Sequence, residues 1–221
     1  KVEAFIKYLV LVMLLFSSCV FAGQLYEQFP EKIDQNAKYV FYSHGLIVEG
    51  DNPTPVSNRW GKYDFPKVKS ALTDDGYHLI AYHRAKNTKA KIFAKKLKHD
   101  INLLITKGVK PENITLLGFS RGGEISILTS HYLKSKKVRL ALLASCPNFM
   151  ENHPDYQVYG EVYSIYETSD RVGSCQFLIA QSKNVDSFEE IAITTGEEHG
   201  AFFRPIPEWL DPLKAWLNKN N

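Results

Sequence analysis

Three residue types that together can make a hydroxyl reactive occur in this chain in the order Ser120, Asp170, His199. Ser120 is the centre of Gly118-Phe119-Ser120-Arg121-Gly122. An apolar run over residues 114–117 leads into it, and a helical pattern with Ile125, Leu128 and Tyr132 follows. A nucleophile held on a sharp strand-to-helix turn takes strained backbone angles. Side chains two residues to either side would collide, so the turn calls for glycine at 118 and 122. The same turn aims the first amides of the helix, with the positive end of its dipole behind them, at whatever the serine attacks. With Gly and Ser each at about 7% of residues, G-x-S-x-G arises by chance in roughly one chain in fifteen of this length. Its weight therefore comes from lying between strand and helix. A serine that merely caps the next helix is the plainer alternative.

A serine hydroxyl is a poor nucleophile at neutral pH. It needs a base within hydrogen-bond reach and a third group to fix that base's tautomer. Of seven histidines, only His199, in Glu197-Glu198-His199-Gly200-Ala201, follows the last expected strand and sits beside a glycine. His44 ends a strand, His78 begins one, His83 follows one, His99 and His131 fall in helices, and His153 in a loop. The acid candidate is Asp170, just past an expected strand and between Ser120 and His199 in the chain; Glu167, at the strand end itself, is its strongest rival. Asp155 precedes that strand and Asp186 lies nearer the next. For a developing oxyanion the backbone N–H of Arg121 is the first candidate donor and that of Leu46, in the His44-Gly45-Leu46 turn, the second. His44, Phe119, Phe149 and Phe202, near strand ends, are the candidates to contact substrate, with Tyr156, Phe203 and Trp60 as further aromatics. Aromatics at such places also serve simply as core. Arg121 and Arg204 could favour an acidic substrate group or be surface charges.

The elements that must position these residues alternate. Strands are expected over 38–43, 77–82, 114–117, 138–144, 160–166 and 190–194, and helices over 65–73, 88–107 and 207–217. Most of the strands are apolar on both faces, which argues a mainly parallel sheet covered on both sides, with its chemistry in loops at the carboxyl ends of the strands. Residues 24–37 are polar, with at most a short edge element. Residues 46–66 form a long connection rich in Pro, Gly and Asn, of the kind that walls a site.

With 221 residues, 44% of them hydrophobic, the chain has enough apolar material for one globular core. The formal charge of +3 is spread along the sequence, and no basic block tracks a phosphate backbone, so nucleic acid is not an expected partner. Residues 1–22 read as a secretory signal peptide: Lys1 and Lys7, an apolar run over 8–16, then small residues up to Ala22. Residues 23–221 form one domain. An alternative is lipid attachment at Cys19, because Leu15-Phe16-Ser17-Ser18-Cys19 loosely resembles a lipoprotein box; only then is membrane contact expected. Either way the protein is expected outside the cytoplasm. Cys146 and Cys175 are then an even pair in an oxidising compartment, which makes a disulfide plausible. No Cys or His spacing suggests a metal, and no cofactor is expected.

Taken together, the His-Gly turn, G-x-S-x-G, the acid and the late histidine, each after a strand, resemble the α/β-hydrolase superfamily from about Lys38 onward. The resemblance implies a three-layer α/β/α sandwich with a sheet of six to eight strands and a Ser120–His199–Asp170 triad. It implies no single substrate. A small-molecule acyl substrate and a carboxylic ester are the first choice. Thioesterase, peptidase and a non-catalytic binding protein are the alternatives, and a monomer is expected. Residues 147–159, where the superfamily often carries a cap, are too few for one, so the site should be open.

Overall fold

A computed structural model describes residues 23–219, so the expected leader, with Cys19 and Ala22, lies outside the described residues. In chain order the elements are β1 (Leu25–Tyr26), β2 (Tyr39–Ser43), β3 (Val56–Ser57), β4 (Gly61–Lys62), α1 (Phe65–Leu72), β5 (His78–Ile80) and α2 (Ala90–Thr106). Then follow β6 (Ile114–Phe119), α3 (Arg121–Leu133), β7 (Arg139–Leu143), β8 (Tyr159–Glu167), α4 (Gln176–Gln181), β9 (Asn184–Ile193) and α5 (Pro207–Asn218).

Seven strands make one sheet in the order β1-β5-β2-β6-β7-β8-β9, every neighbouring pair parallel. β3 and β4 form a separate antiparallel hairpin. Because successive strand residues point to opposite faces, a strand buried on both sides must be apolar throughout. The two core clusters follow that alternation. Tyr39, Phe41, Leu116, Leu140 and Leu142 pack with Leu97, Ile101 and Leu104 of α2 and Ile125 and Leu128 of α3. Val40, Tyr42, Leu117, Ala141 and Leu143 pack with Phe65, Val68 and Leu72 of α1 and Trp209, Leu213 and Trp216 of α5. The result is the three-layer sandwich expected from the pattern.

Local chemistry sets the helix ends. The Asp64 side chain accepts from the Lys67 N–H at 3.3 Å and caps α1, with Pro66 in the first turn. Gly108, at φ 100°, follows α2, and Pro111 begins the next turn.

Order in the sheet reverses at β2. After β2 the chain goes to β5 on one side and later to β6 on the other. The loops leaving the carboxyl ends of β2 and β6 therefore diverge and leave a crevice, the usual place for a ligand in an open parallel sheet. Residues 44–49 and Ser120 sit at that crevice. Residues 147–159 carry only a short turn, Asn148–Met150, and no cap domain. Cys146 and Cys175 are joined by a disulfide, Cα to Cα 5.2 Å, tying the loop after β7 to the start of α4.

Candidate active site

Ser120 is the residue on which β6 turns into α3. Its backbone lies at φ 53° and ψ −118°, a conformation that non-glycine residues rarely adopt and that persists only when the surroundings enforce it. The enforcement is visible: Ser120 N–H donates to Leu143 O at 3.1 Å and binds the turn to β7. A Cβ on Gly122 would lie 1.8 Å from Ser43 O, and one on Gly118 would lie 2.4 Å from Gly122 O. Both contacts are with backbone, so a side chain at 122 would displace the end of β2 and one at 118 the start of α3. The first N–H groups of α3, beginning with Arg121, have no carbonyl a turn earlier to bond.

His199 lies in the short helical turn Glu198–Phe203 that follows β9. Its Nδ1 is 2.5 Å from Oδ2 of Asp170, and both side chains are nearly buried, 10% and 5% exposed. Asp170 Oδ1 accepts from the Val172 N–H at 3.1 Å, so its carboxylate is aimed by its own loop. With Nδ1 donating to the carboxylate, the hydrogen of a neutral imidazole is on Nδ1 and Nε2 is left as an acceptor. Phe119 and Trp60 flank the ring, with centroids at 4.8 and 5.3 Å. Glu167, the rival acid, faces elsewhere. It is fully buried. Burial works to raise its pKa, but hydrogen bonds from Ser169, Thr195 and Gly196 outweigh that and lower it to about 2.

The turn after β2 is built around a buried ion pair that the sequence did not announce. Arg84, in the loop after β5, is 2% exposed. Its Nε donates to Glu49 Oε1 at 3.2 Å and its Nη2 to the His44 carbonyl at 2.6 Å. The Arg84 N–H donates to His44 Nε2 at 3.0 Å, and the Gly50 N–H donates to Arg84 O at 3.0 Å. One arginine thus grips both ends of the segment that carries Leu46. Tyr63 supports it from behind, its hydroxyl accepting from the Gly45 N–H at 3.3 Å and bonded to that of Tyr42 at 3.0 Å.

Two cavities meet at Ser120 and Leu46. A slot of about 220 Å³ is lined by Gly45, Leu46, Ile47, Trp60, Tyr63, Phe119, Ser120, His199 and Phe203. A wider cleft of about 440 Å³ is lined by Leu46, Ser120, Arg121, Glu124, Ala144, Pro147, Phe149, Met150 and Val172. Ser120 and His199 share the slot; Leu46, Ser120 and Arg121 share the cleft.

Of the residues expected to contact substrate, Phe119 lines the slot and Phe149, 60% exposed, lines the cleft. Two expectations are corrected. His44 is fully buried and its ring is spent internally: Nδ1 bonds Gly45 O at 2.8 Å and Nε2 accepts from Arg84. Burial, with Arg84 nearby, keeps its pKa well below the usual imidazole value, so it acts as a neutral strut. Phe202 is 1% exposed and packs on Phe119 and Trp209 as core; its neighbour Phe203 lines the slot instead. Met150 and Val172 were missed because nothing in a single sequence marks a loop aliphatic as a wall.

No protein-family model matches the chain, and no curated protein matches it. Solved structures do. The thioesterase RedJ of the prodiginine pathway in Streptomyces coelicolor superposes with a TM-score of 0.55 at 11% identity, over 86% of this chain and 94% of that one. A CIB-like hydrolase from Thermoplasma acidophilum gives 0.53 at 18% identity over 85% and 89%. SOBER1 from Arabidopsis thaliana gives 0.52 at 12% identity over 81% and 97%. The fold of this chain is that of the α/β-hydrolases. Within that fold it carries a serine at the turn after β6, an acid after β8 and a histidine after β9.

Proposed function

We propose that this protein is an exported serine hydrolase that cleaves carboxylic esters through an acyl-enzyme on Ser120. The observation that carries the reading is the His199–Asp170 contact, with the ring's other nitrogen free, beside a cavity that His199 shares with Ser120. Ser120 Oγ attacks the ester carbon while His199 Nε2 takes its proton, and Asp170 stabilises the imidazolium. The N–H groups of Arg121 and Leu46 hold the oxyanion. The leaving alcohol departs with the proton from His199, and water repeats the sequence on the acyl-enzyme. Export is supported by the Cys146–Cys175 disulfide, a bond typical of oxidising compartments.

The cavities bear on the substrate. The group that leaves must accept a proton from His199, and His199 lines the slot but not the cleft. The alcohol side therefore belongs in the slot and the acyl side in the cleft. The slot, walled by Trp60, Tyr63, Phe119 and Phe203, suits a compact, uncharged leaving group. That favours a simple ester over a thioester with a long polar arm.

A fluorophosphonate probe tests the nucleophile: the protein should be labelled once, at Ser120. An uncharged medium-chain ester should then be cleaved faster than a matched thioester or anilide. Absence of labelling removes the catalytic reading in favour of a binding protein. Labelling with turnover of the thioester or the amide alone moves the assignment to thioesterase or peptidase.

A further inference from the structure

Asp170 and His199 are borne by separate loops after the neighbouring strands β8 and β9, whose ladder ends where the Thr168 N–H donates to Ile193 O at 2.9 Å and the Thr168 and Thr194 hydroxyls meet at 3.1 Å. Beyond that point the side chain of Glu167, the last residue of β8, reaches both loops. Its Oε2 accepts from the N–H and the hydroxyl of Ser169, at 2.6 and 2.5 Å, on the acid's loop. Its Oε1 accepts from the Thr195 N–H at 2.8 Å, the Thr195 hydroxyl at 3.4 Å and the Gly196 N–H at 3.0 Å, on the histidine's loop. One carboxylate, fully buried, thus holds both loops at their roots. The far end of the acid loop is held likewise: Glu190 of β9 accepts from the Ser174 hydroxyl at 2.5 Å and the Cys175 N–H at 2.7 Å, and Cys175 is tied to Cys146. Asp170 therefore sits in a seven-residue span, 168–174, anchored at both ends, and its facing residue His199 sits three residues past Gly196, the last residue of the same clasp.

We propose that Glu167 is a positioning residue that sets the Asp170–His199 contact by clasping the two loops that bear them. The proposal rests on the hydrolytic reading of the site. Glu167 touches neither Ser120 nor any reacting atom. Among the other charges near the pair, Arg171, next to Asp170, is exposed, and at the rim Arg59 pairs with Glu198 and Arg204 with Glu197. Neither pair bonds Glu167.

A neutral amide at 167 would turn an –NH₂ toward one set of donors and release one loop. An error of about 1 Å in a catalytic group can cost about 100-fold in rate. For Glu167→Gln, kcat per fluorophosphonate-titrated site should fall about 10–100-fold with KM within about twofold. Glu167→Asp keeps the charge but falls one methylene short, so it should lose rate as well.

Titration makes each outcome decisive. Normal kcat per titrated site in both variants, with only a lower thermal midpoint, would reduce Glu167 to a structural role. Restoration by Asp would mean that charge, not reach, is what counts, and would overturn the clasp. Should neither variant fold, Ser169→Ala, which deletes one donor on the exposed side, must still lower kcat per titrated site; an unchanged value sinks the proposal. A wild-type protein that the probe never labels instead removes the hydrolytic reading beneath it.

Discussion

Replacing Ser120 with alanine is expected to lower ester turnover on the order of 10⁴–10⁶-fold while leaving the fold intact. Two features make this substitution a clean one. The Ser120 side chain makes no capping bond to α3, so no buried hydrogen bond is lost. Alanine and serine both carry a Cβ, so the strain at φ 53° is the same in each. The thermal midpoint should therefore stay close to that of the wild type, and fluorophosphonate labelling should vanish. Activity that survives within about tenfold would show that Ser120 is only the turn residue the pentapeptide alone permits. Residual catalysis over water should persist, because the Arg121 and Leu46 amides and the cavities remain.

How far the chain could be read in advance depended on the kind of signal. β2, β6 and β7 are apolar on both faces and were legible to within a residue or two, as were α2 and α5 with their buried stripes. Ser120 and His199 could be singled out because the first has glycine two residues to either side at the end of a strand and the second follows the last strand beside Gly200. β9 was seen only in its last part. It is an edge strand, its residues before Ile193 are half-buried or exposed without strict alternation, and Asn184, Asp186 and Glu189 hide the pattern. β1, β3 and β4 have two residues each and α4 six, too few for any period to register. Asp170 and Glu167 could not be separated with certainty by position. Hydrogen bonding distinguishes them: one carboxylate meets an imidazole, the other is saturated by backbone and hydroxyl donors. Arg84 and Glu49 were invisible for a different reason. They lie 35 residues apart, and a long-range ion pair leaves no mark in a local pattern.

That pair gives the second large prediction. Arg84→Met should destabilise the fold by about 3–5 kcal/mol, because Glu49, whose side chain is only 3% exposed, is left as a buried charge without its partner. For a domain of this size the thermal midpoint should drop by roughly 6–20 °C. Adding Glu49→Leu should return most of that loss, since an apolar pair in place of a buried ion pair is often neutral or better. Turnover should not return with it. Arg84 Nη2 also holds the His44 carbonyl, at 2.6 Å, and no leucine or methionine replaces that bond. The turn bearing Leu46 is then free to drift, and one oxyanion donor is typically worth about 2.7–4 kcal/mol of barrier. A double variant that is stable yet about 10²–10³-fold slower would separate the two roles of Arg84, folding and alignment. Recovery of both stability and rate would confine Arg84 to the first. The unpaired Nη1 of Arg84 sharpens the comparison. An unbonded buried donor is a cost the fold carries, so a stable double variant would mean that the arginine is kept for what it holds in place rather than for the stability it adds.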